Sequence, residues 1–153
     1  MEIRRLEAKD LQEVVALFNN SIFDKETIYK PLNEEIFTML FLTVSEIMSP
    51  VVIVGVEDGK IIGFAAGNTS MNLDKGYITY VGVDKTYRRK GYGRKLLSNL
   101  ETILQEKNNG IKRFEIVFFN PANLAWIIPE TPGHDHPNAP GVDMQSSAYL
   151  FFK

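Results

Sequence analysis

The chain has no cysteine, only two histidines and one tryptophan among 153 residues, and a net charge of −2 at pH 7. Without cysteine, a disulfide framework and a thiolate zinc site are both excluded. The near-balanced charge exerts no global pull on nucleic acid or on an anionic membrane. No apolar run approaches the ~20 residues that cross a bilayer. The opening MEIRRLEAKD lacks the apolar stretch of a signal peptide. These absences lead to the expectation of a cytoplasmic protein that binds neither nucleic acid nor membrane. Its length fits a single domain, residues 1–153, long enough to bury a core.

What is present is unevenly placed. Lys85, Arg88, Arg89, Lys90, Arg94 and Lys95 stand together, with no acid between Asp84 and Glu101. So local a patch suits a small polyanion rather than a long one. A β-branched run, Ile78 to Val83, leads into it, and Gly91-Tyr92-Gly93 opens it into an amphipathic helix. A strand, a glycine turn and a helix start gather backbone N–H groups around one point. The positive end of the helix dipole adds its field there, a geometry that holds a pyrophosphate.

Along the chain, Ile3 to Leu6 reads as a strand and Asp10 as the N-cap of a helix from Leu11 to Phe18. Asn33 caps a second helix with Glu34 and Glu35 in its first turn, ending before Ser49-Pro50. That helix is apolar almost all round, from Ile36 through Met48, so it is expected to be deeply buried or covered by another chain, with burial favoured. Val51 to Val56, Asp58-Gly59 and Ile61 to Ala66 form a hairpin signal. A further strand runs from Gly76 to Val83. The helix after the glycine turn shows Leu96, Leu97, Leu100, Ile103 and Leu104 on one face and stops at Asn109-Gly110. Arg113 to Phe119 is the last strand. Asn120 to Gln145 holds five of the seven prolines and no period, which marks a functional or disordered loop. Ser146 to Lys153 reads as the first turns of a helix. The order implies an α/β (α+β) fold, with helices on both faces of a mixed sheet.

The turn is not a P-loop, since G-x-x-x-x-G-K-[ST] is absent, and it lacks the third glycine of a dinucleotide fingerprint. It reads Val81-Gly82-Val83-Asp84-Lys85-Thr86-Tyr87-Arg88-Arg89-Lys90-Gly91-Tyr92-Gly93, an R-x-x-G-x-G after V-x-V on a strand. With these residues the chain resembles the GNAT superfamily of N-acetyltransferases. Ile3-Arg4-x-Leu6-x-x-x-Asp10, the Asp58-Gly59 hairpin and Asn120 resemble it too, so the likeness runs from Glu2 to Asn120. The resemblance implies a mostly antiparallel sheet that splays between its fourth and fifth strands. It also implies acetyl-CoA as co-substrate and direct transfer of acetyl to a primary amine of a small molecule or peptide. The implied coenzyme contacts are Arg88, Arg89, Lys90, Gly91, Tyr92, Gly93 and Arg94 around the pyrophosphate. Val81 and Val83 would pair with the pantetheine arm through their backbone, with the Val81 N–H as oxyanion donor. Gly82 suits a bulge that helps the strands part.

Amine attack first requires loss of a proton from an ammonium of pKa near ~10.4, roughly 4.6 kcal/mol at pH 7. Glu115 and Asp74 are the acids near the expected cleft, each also readable as an ordinary solvated residue. Asn120, just after the last strand, joins the catalytic candidates through the resemblance. The family's proton donor to the leaving thiolate is a tyrosine in an A-x-x-x-Y pattern; Ala148 puts Phe152 there, and Tyr149 stands a turn earlier. Tyr149 is therefore either a displaced acid or a packing aromatic. A thiol of pKa near ~8.5 needs only about 2 kcal/mol of help.

In the long loop, Trp126, His134 and His136 lie where the acceptor groove is implied. A structural loop held by Asp, Asn and Pro turns is the main alternative. A metal held by the H-x-H pair has little support, as the chain has no other histidine, and no metal is expected. The family's domain continues into two more strands, one of which pairs with Arg113 to Phe119. The expectation is therefore a longer protein, or a homodimer whose second chain completes the sheet. A non-catalytic acyl-CoA-binding domain is the alternative to an enzyme.

Overall fold

The computed structural model describes residues 1–22, 30–70, 72–116, 126–127, 135–136 and 151. The elements run β1 (Glu2–Arg5), α1 (Leu11–Ile22), α2 (Glu34–Phe41), β2 (Ser49–Glu57), β3 (Lys60–Thr69), β4 (Lys75–Val83), α3 (Tyr92–Lys107) and β5 (Arg113–Glu115). A two-residue ladder, β6 (Trp126–Ile127) with β7 (Asp135–His136), stands apart from them. The five-stranded sheet follows chain order, β1-β2-β3-β4-β5, antiparallel throughout except where β4 meets β5. This is the mixed α/β sheet that the element order implies, mostly antiparallel as the resemblance implies.

The β2–β3 hairpin turns where the sequence places it. Asp58 and Gly59 take φ of 51° and 76°, the left-handed pair that matches the twist of the flanking strands. One face of the sheet carries α1 and α2, packed through Val14, Phe18, Phe37 and Phe41 on Phe64. The other carries α3, whose Leu96, Leu100 and Leu104 are fully buried against Val51, Ile53, Ala65 and Ile78. Close approach of α3 depends on Gly67. A Cβ there would lie 2.8 Å from Leu104 Cδ1 and 2.8 Å from the Tyr77 carbonyl oxygen.

Three sequence expectations need correction. Asp10 does not cap α1 but closes a 3-10 turn, Ala8–Asp10, its carboxylate accepting the Glu7 N–H at 2.8 Å and pairing with Arg4 at 2.6 Å. The second helix ends at Phe41, not before Pro50. Beyond it, the Ser45 hydroxyl accepts the Met48 N–H at 3.1 Å, and Ser45 N–H donates to the Met48 carbonyl at 3.0 Å. These local bonds compete with helix. Deep burial of the segment is also overturned: Phe37 and Phe41 are buried, while Met39, Val44 and Ile47 are 61%, 70% and 64% exposed. An eight-residue helix lying on a sheet has one face to bury, and the remaining apolar positions stay in water.

Candidate functional site

The site begins where β4 leaves β5. The two strands pair only at Lys75–Arg113, Gly76–Phe114 and Tyr77–Glu115. Among the described residues, the rest of β4 has a neighbour on one side alone. The register between β3 and β4 slips between Ala66 and Gly67, leaving Thr79 as the extra residue. The bulge therefore lies at Thr79 and not at Gly82. A bulge bends its strand, and this one comes just after the last pair with β5.

Past the bulge, Val81 and Val83 pack toward α3, and Tyr80 points to the opposite face, its ring stacked on Phe64 at 4.5 Å. That ring covers Gly82: a Cβ there would sit 2.5 Å from the phenol oxygen. Glycine at 82 thus makes room for Tyr80. Backbone direction follows from alternation. Asp84 N–H donates to the Ile62 carbonyl at 2.7 Å, so residue 84 faces β3. Residues 83 and 81 then turn their peptide groups outward, into the opening. The Val83 carbonyl accepts Arg88 Nε at 3.0 Å there.

The turn is built from two left-handed residues. Asp84 first caps a single 3-10 turn, Lys85–Tyr87, accepting Thr86 N–H at 2.9 Å and Thr86 Oγ1 at 2.6 Å. Those bonds lower its pKa. Arg89 then takes φ 64° and Gly91 φ 80°. The first helical bond of α3 is Lys95 N–H to the Gly91 carbonyl, 3.1 Å. Ahead of it, the N–H groups of Arg89 to Arg94 have no backbone acceptor among the described residues, as at any helix start. A Cβ on Gly91 would meet nothing within 4 Å, whereas one on Gly93 would lie 3.2 Å from the Phe151 ring. Arg89, Lys90, Arg94 and Lys95 are exposed around the turn. Free N–H donors, left-handed backbone, a helix dipole and four surface cations fit the diphosphate of a coenzyme.

Glu115 lies opposite Tyr77, at the fork between the strands. Lys75 Nζ reaches both of its oxygens at 3.2 Å, and Arg113 Nε reaches Oε1 at 2.8 Å. Arg113 foremost, then Lys75, lowers its pKa. Asp74 holds Arg113 from the other side at 3.2 Å. Of the other catalytic candidates, Asn120 and Tyr149 lie outside the described residues. So do His134 and the Phe152 position. Trp126 and His136 are paired across β6 and β7, and their backbone alone is described. Among the described residues no group of three His, Asp or Glu is arranged to hold a metal, and no helix is long and apolar enough to cross a membrane.

One contact escaped the sequence reading. Tyr92 Oη donates to Glu57 Oε1 at 3.0 Å, joining the turn to the end of β2. No spacing rule pairs residues from different elements, and Glu57 reads in sequence as one more acid at a hairpin.

A family model described as the acetyltransferase (GNAT) family matches residues 15–127. Among solved structures, an aminoglycoside acetyltransferase from an uncultured soil metagenomic sample, in complex with sisomicin, is 22% identical with a TM-score of 0.57, the match covering 76% of each chain. N-acetylglutamate synthase from Neisseria gonorrhoeae, complexed with coenzyme A and N-acetyl-glutamate, is 24% identical at TM-score 0.56, over 74% of this chain and 24% of that one. A tandem GNAT protein from the clavulanic acid biosynthesis pathway matches 99% of this chain with 42% of its own, at 14% identity and TM-score 0.64. At these identities the likeness is one of fold. No curated protein matches the sequence.

Proposed function

The chain belongs to the acetyltransferase (GNAT) family, and from that premise we propose that it is an acetyl-CoA-dependent N-acetyltransferase acting on a primary amine of a small molecule or peptide. The observation that carries the reading is the turn from Arg89 to Arg94: an open array of N–H donors beside a strand edge that β5 leaves unpaired.

In this reading acetyl-CoA brings the acetyl group as an activated thioester. The N–H groups of Arg89 to Arg94 hold its diphosphate, with Arg88, Arg89, Lys90 and Arg94 supplying charge. The outward peptide groups of Val81 and Val83 pair with its amide-bearing arm as an added strand would. The Val81 N–H then donates to the carbonyl oxygen as negative charge grows on it. Nitrogen–carbon bond formation releases the thiolate, and the amine's proton leaves to water or to a carboxylate. Glu115, at the fork, is the proposed carboxylate. Its two cationic partners keep it ionised but weaken it as a base, so it serves best through a bridging water. Asn120, with Tyr149 as donor to the thiolate, completes the proposed catalytic set. Trp126, His134 and His136 form the proposed acceptor surface.

The weakened basicity of Glu115 favours one second reading, an acyl-CoA-binding domain without turnover. Release of free thiol from acetyl-CoA across a panel of amines separates the two. Turnover with any amine removes the second reading; tight coenzyme binding with no release across the panel removes the first. The coenzyme site has its own test. Gly91→Val forces a β-branched residue to φ 80° and fills the open hollow, so coenzyme A affinity is expected to fall by more than roughly tenfold. Unchanged affinity by calorimetry would remove the turn from the site.

β5 is the last strand of the sheet among the described residues. We propose that the edge which the described residues leave unpaired is completed by further chain or by a second copy. Light scattering reads the stoichiometry, and a stable monomer of these residues alone would refute it.

A further inference from the structure

Tyr92 stands where the turn becomes helix, and it is tied to a distant part of the chain. Its hydroxyl donates to Glu57 Oε1 at 3.0 Å, and Glu57 Oε2 lies 2.7 Å from the amino group of Met1. The carboxylate is met by an ammonium on one side and a phenol on the other. Both hold it below the usual glutamate pKa, the amino group most. Lys95 Nζ lies 5.9 Å from the centre of the Tyr92 ring.

The surrounding charges make this contact informative. Arg88, Arg89, Lys90, Arg94 and Lys95 crowd one turn, and like charges so close repel. A direct ion pair from a carboxylate to one of the arginines would steady the turn, but it would occupy a cation that a phosphate needs. Glu57 steadies it through a neutral phenol instead, and its own charge is matched by Met1. The carboxylate therefore takes up none of those cations itself. Tyr92 is the first residue of α3, and its N–H belongs to the open donor array, so fixing its ring fixes that donor. The anchor is firm because Glu57 pairs with Lys60 across the hairpin.

On the coenzyme reading above, we propose that Glu57 and Tyr92 form a clamp that preorganises the diphosphate turn, with Glu57 a positioning residue that sets coenzyme affinity through Tyr92. Ordering done before the ligand arrives is not charged against binding. Tyr92→Phe removes the donor and Glu57→Leu removes the acceptor, so each breaks the same contact.

Calorimetry with coenzyme A on the parent, the two single variants and the double variant is the test. Each single variant is expected to raise Kd by roughly 3–10-fold. The double variant should be within about twofold of the weaker single, since one contact cannot be lost twice. Pantetheine, which lacks the diphosphate, should bind all four proteins alike in an NMR titration. Hydrogen exchange at the Lys95 N–H, which closes the first turn of α3, should quicken in both singles while exchange at Ile53 stays unchanged. Unchanged Kd, multiplying losses in the double variant, or an equal loss for pantetheine would each overturn the clamp. A parent protein that does not bind coenzyme A would overturn the coenzyme reading itself, an outcome read before any variant is compared.

Discussion

Asp10 shows how much one residue can mean differently in sequence and in space. Its position before an apolar helix reads as a cap, yet its carboxylate receives Arg4 Nη1 at 2.6 Å and Nη2 at 2.9 Å, with the Glu7 N–H as well. The residue is buried, and the Arg4 hydrogen bond, foremost, lowers its pKa. Asp10→Ala takes away the bidentate partner of the guanidinium, leaving Glu7 at 3.7 Å, and is expected to cost roughly 2–4 kcal/mol in urea unfolding. The pH dependence has a definite sign. A carboxyl depressed in the folded state contributes fully above the unfolded aspartate value of about 3.9, and its contribution fades as pH falls through the lower folded value. Parent and variant stabilities should therefore differ at pH 7 and converge in acid below about pH 4. A gap that stayed constant from pH 7 to pH 3 would show that the pair is not responsible.

At the scale of elements, the opening between β4 and β5 lies beside a bulge. Thr79 adds a residue without a partner two positions after Tyr77, where pairing with β5 ends. Deleting Thr79 leaves Ile78 and Val81 on the α3 face and Tyr80 on the other, so the cores on both faces keep their residues. The strand would straighten and run on beside β5. The expected result is a folded protein by circular dichroism whose coenzyme A affinity drops by more than roughly tenfold. Normal binding by the deletion variant would mean the opening arises elsewhere. The sequence pointed to Gly82 for this bulge because glycine commonly marks one. Here the glycine answers a different need, the Tyr80 ring lying across it. A glycine announces a close approach; it does not say what approaches.

For the whole molecule, the proposed coenzyme site joins parts of three elements: the outer edge of β4, the start of α3 and, through Glu57, the end of β2. A ligand that binds only this assembled arrangement stabilises the folded state by mass action. Coenzyme A at a hundredfold excess over its Kd should add about 2.7 kcal/mol. For a chain of this size that raises the thermal midpoint by several degrees, readable by scanning calorimetry. Inorganic phosphate at equal concentration should shift it far less, having no arm to pair with β4. Equal shifts would mean a general anion effect.

The site was legible in sequence where it is local. R-x-x-G-x-G after a β-branched strand fixes the left-handed turn, the helix start and the basic patch, because backbone sterics and helix-end donors act over a few residues. The hairpin at Asp58-Gly59 and the apolar stripe of α3 were legible for the same reason. Three features were settled only by folding. The bulge falls at Thr79 because register against β3 and packing on two faces decide it together. The segment after Phe41 stays outside the core because a single sheet face has no more room to cover it. Glu57 reaches Tyr92 because two elements 35 residues apart come to the same corner. Local chemistry is written along the chain, whereas contacts between elements exist only once the sheet has brought them together.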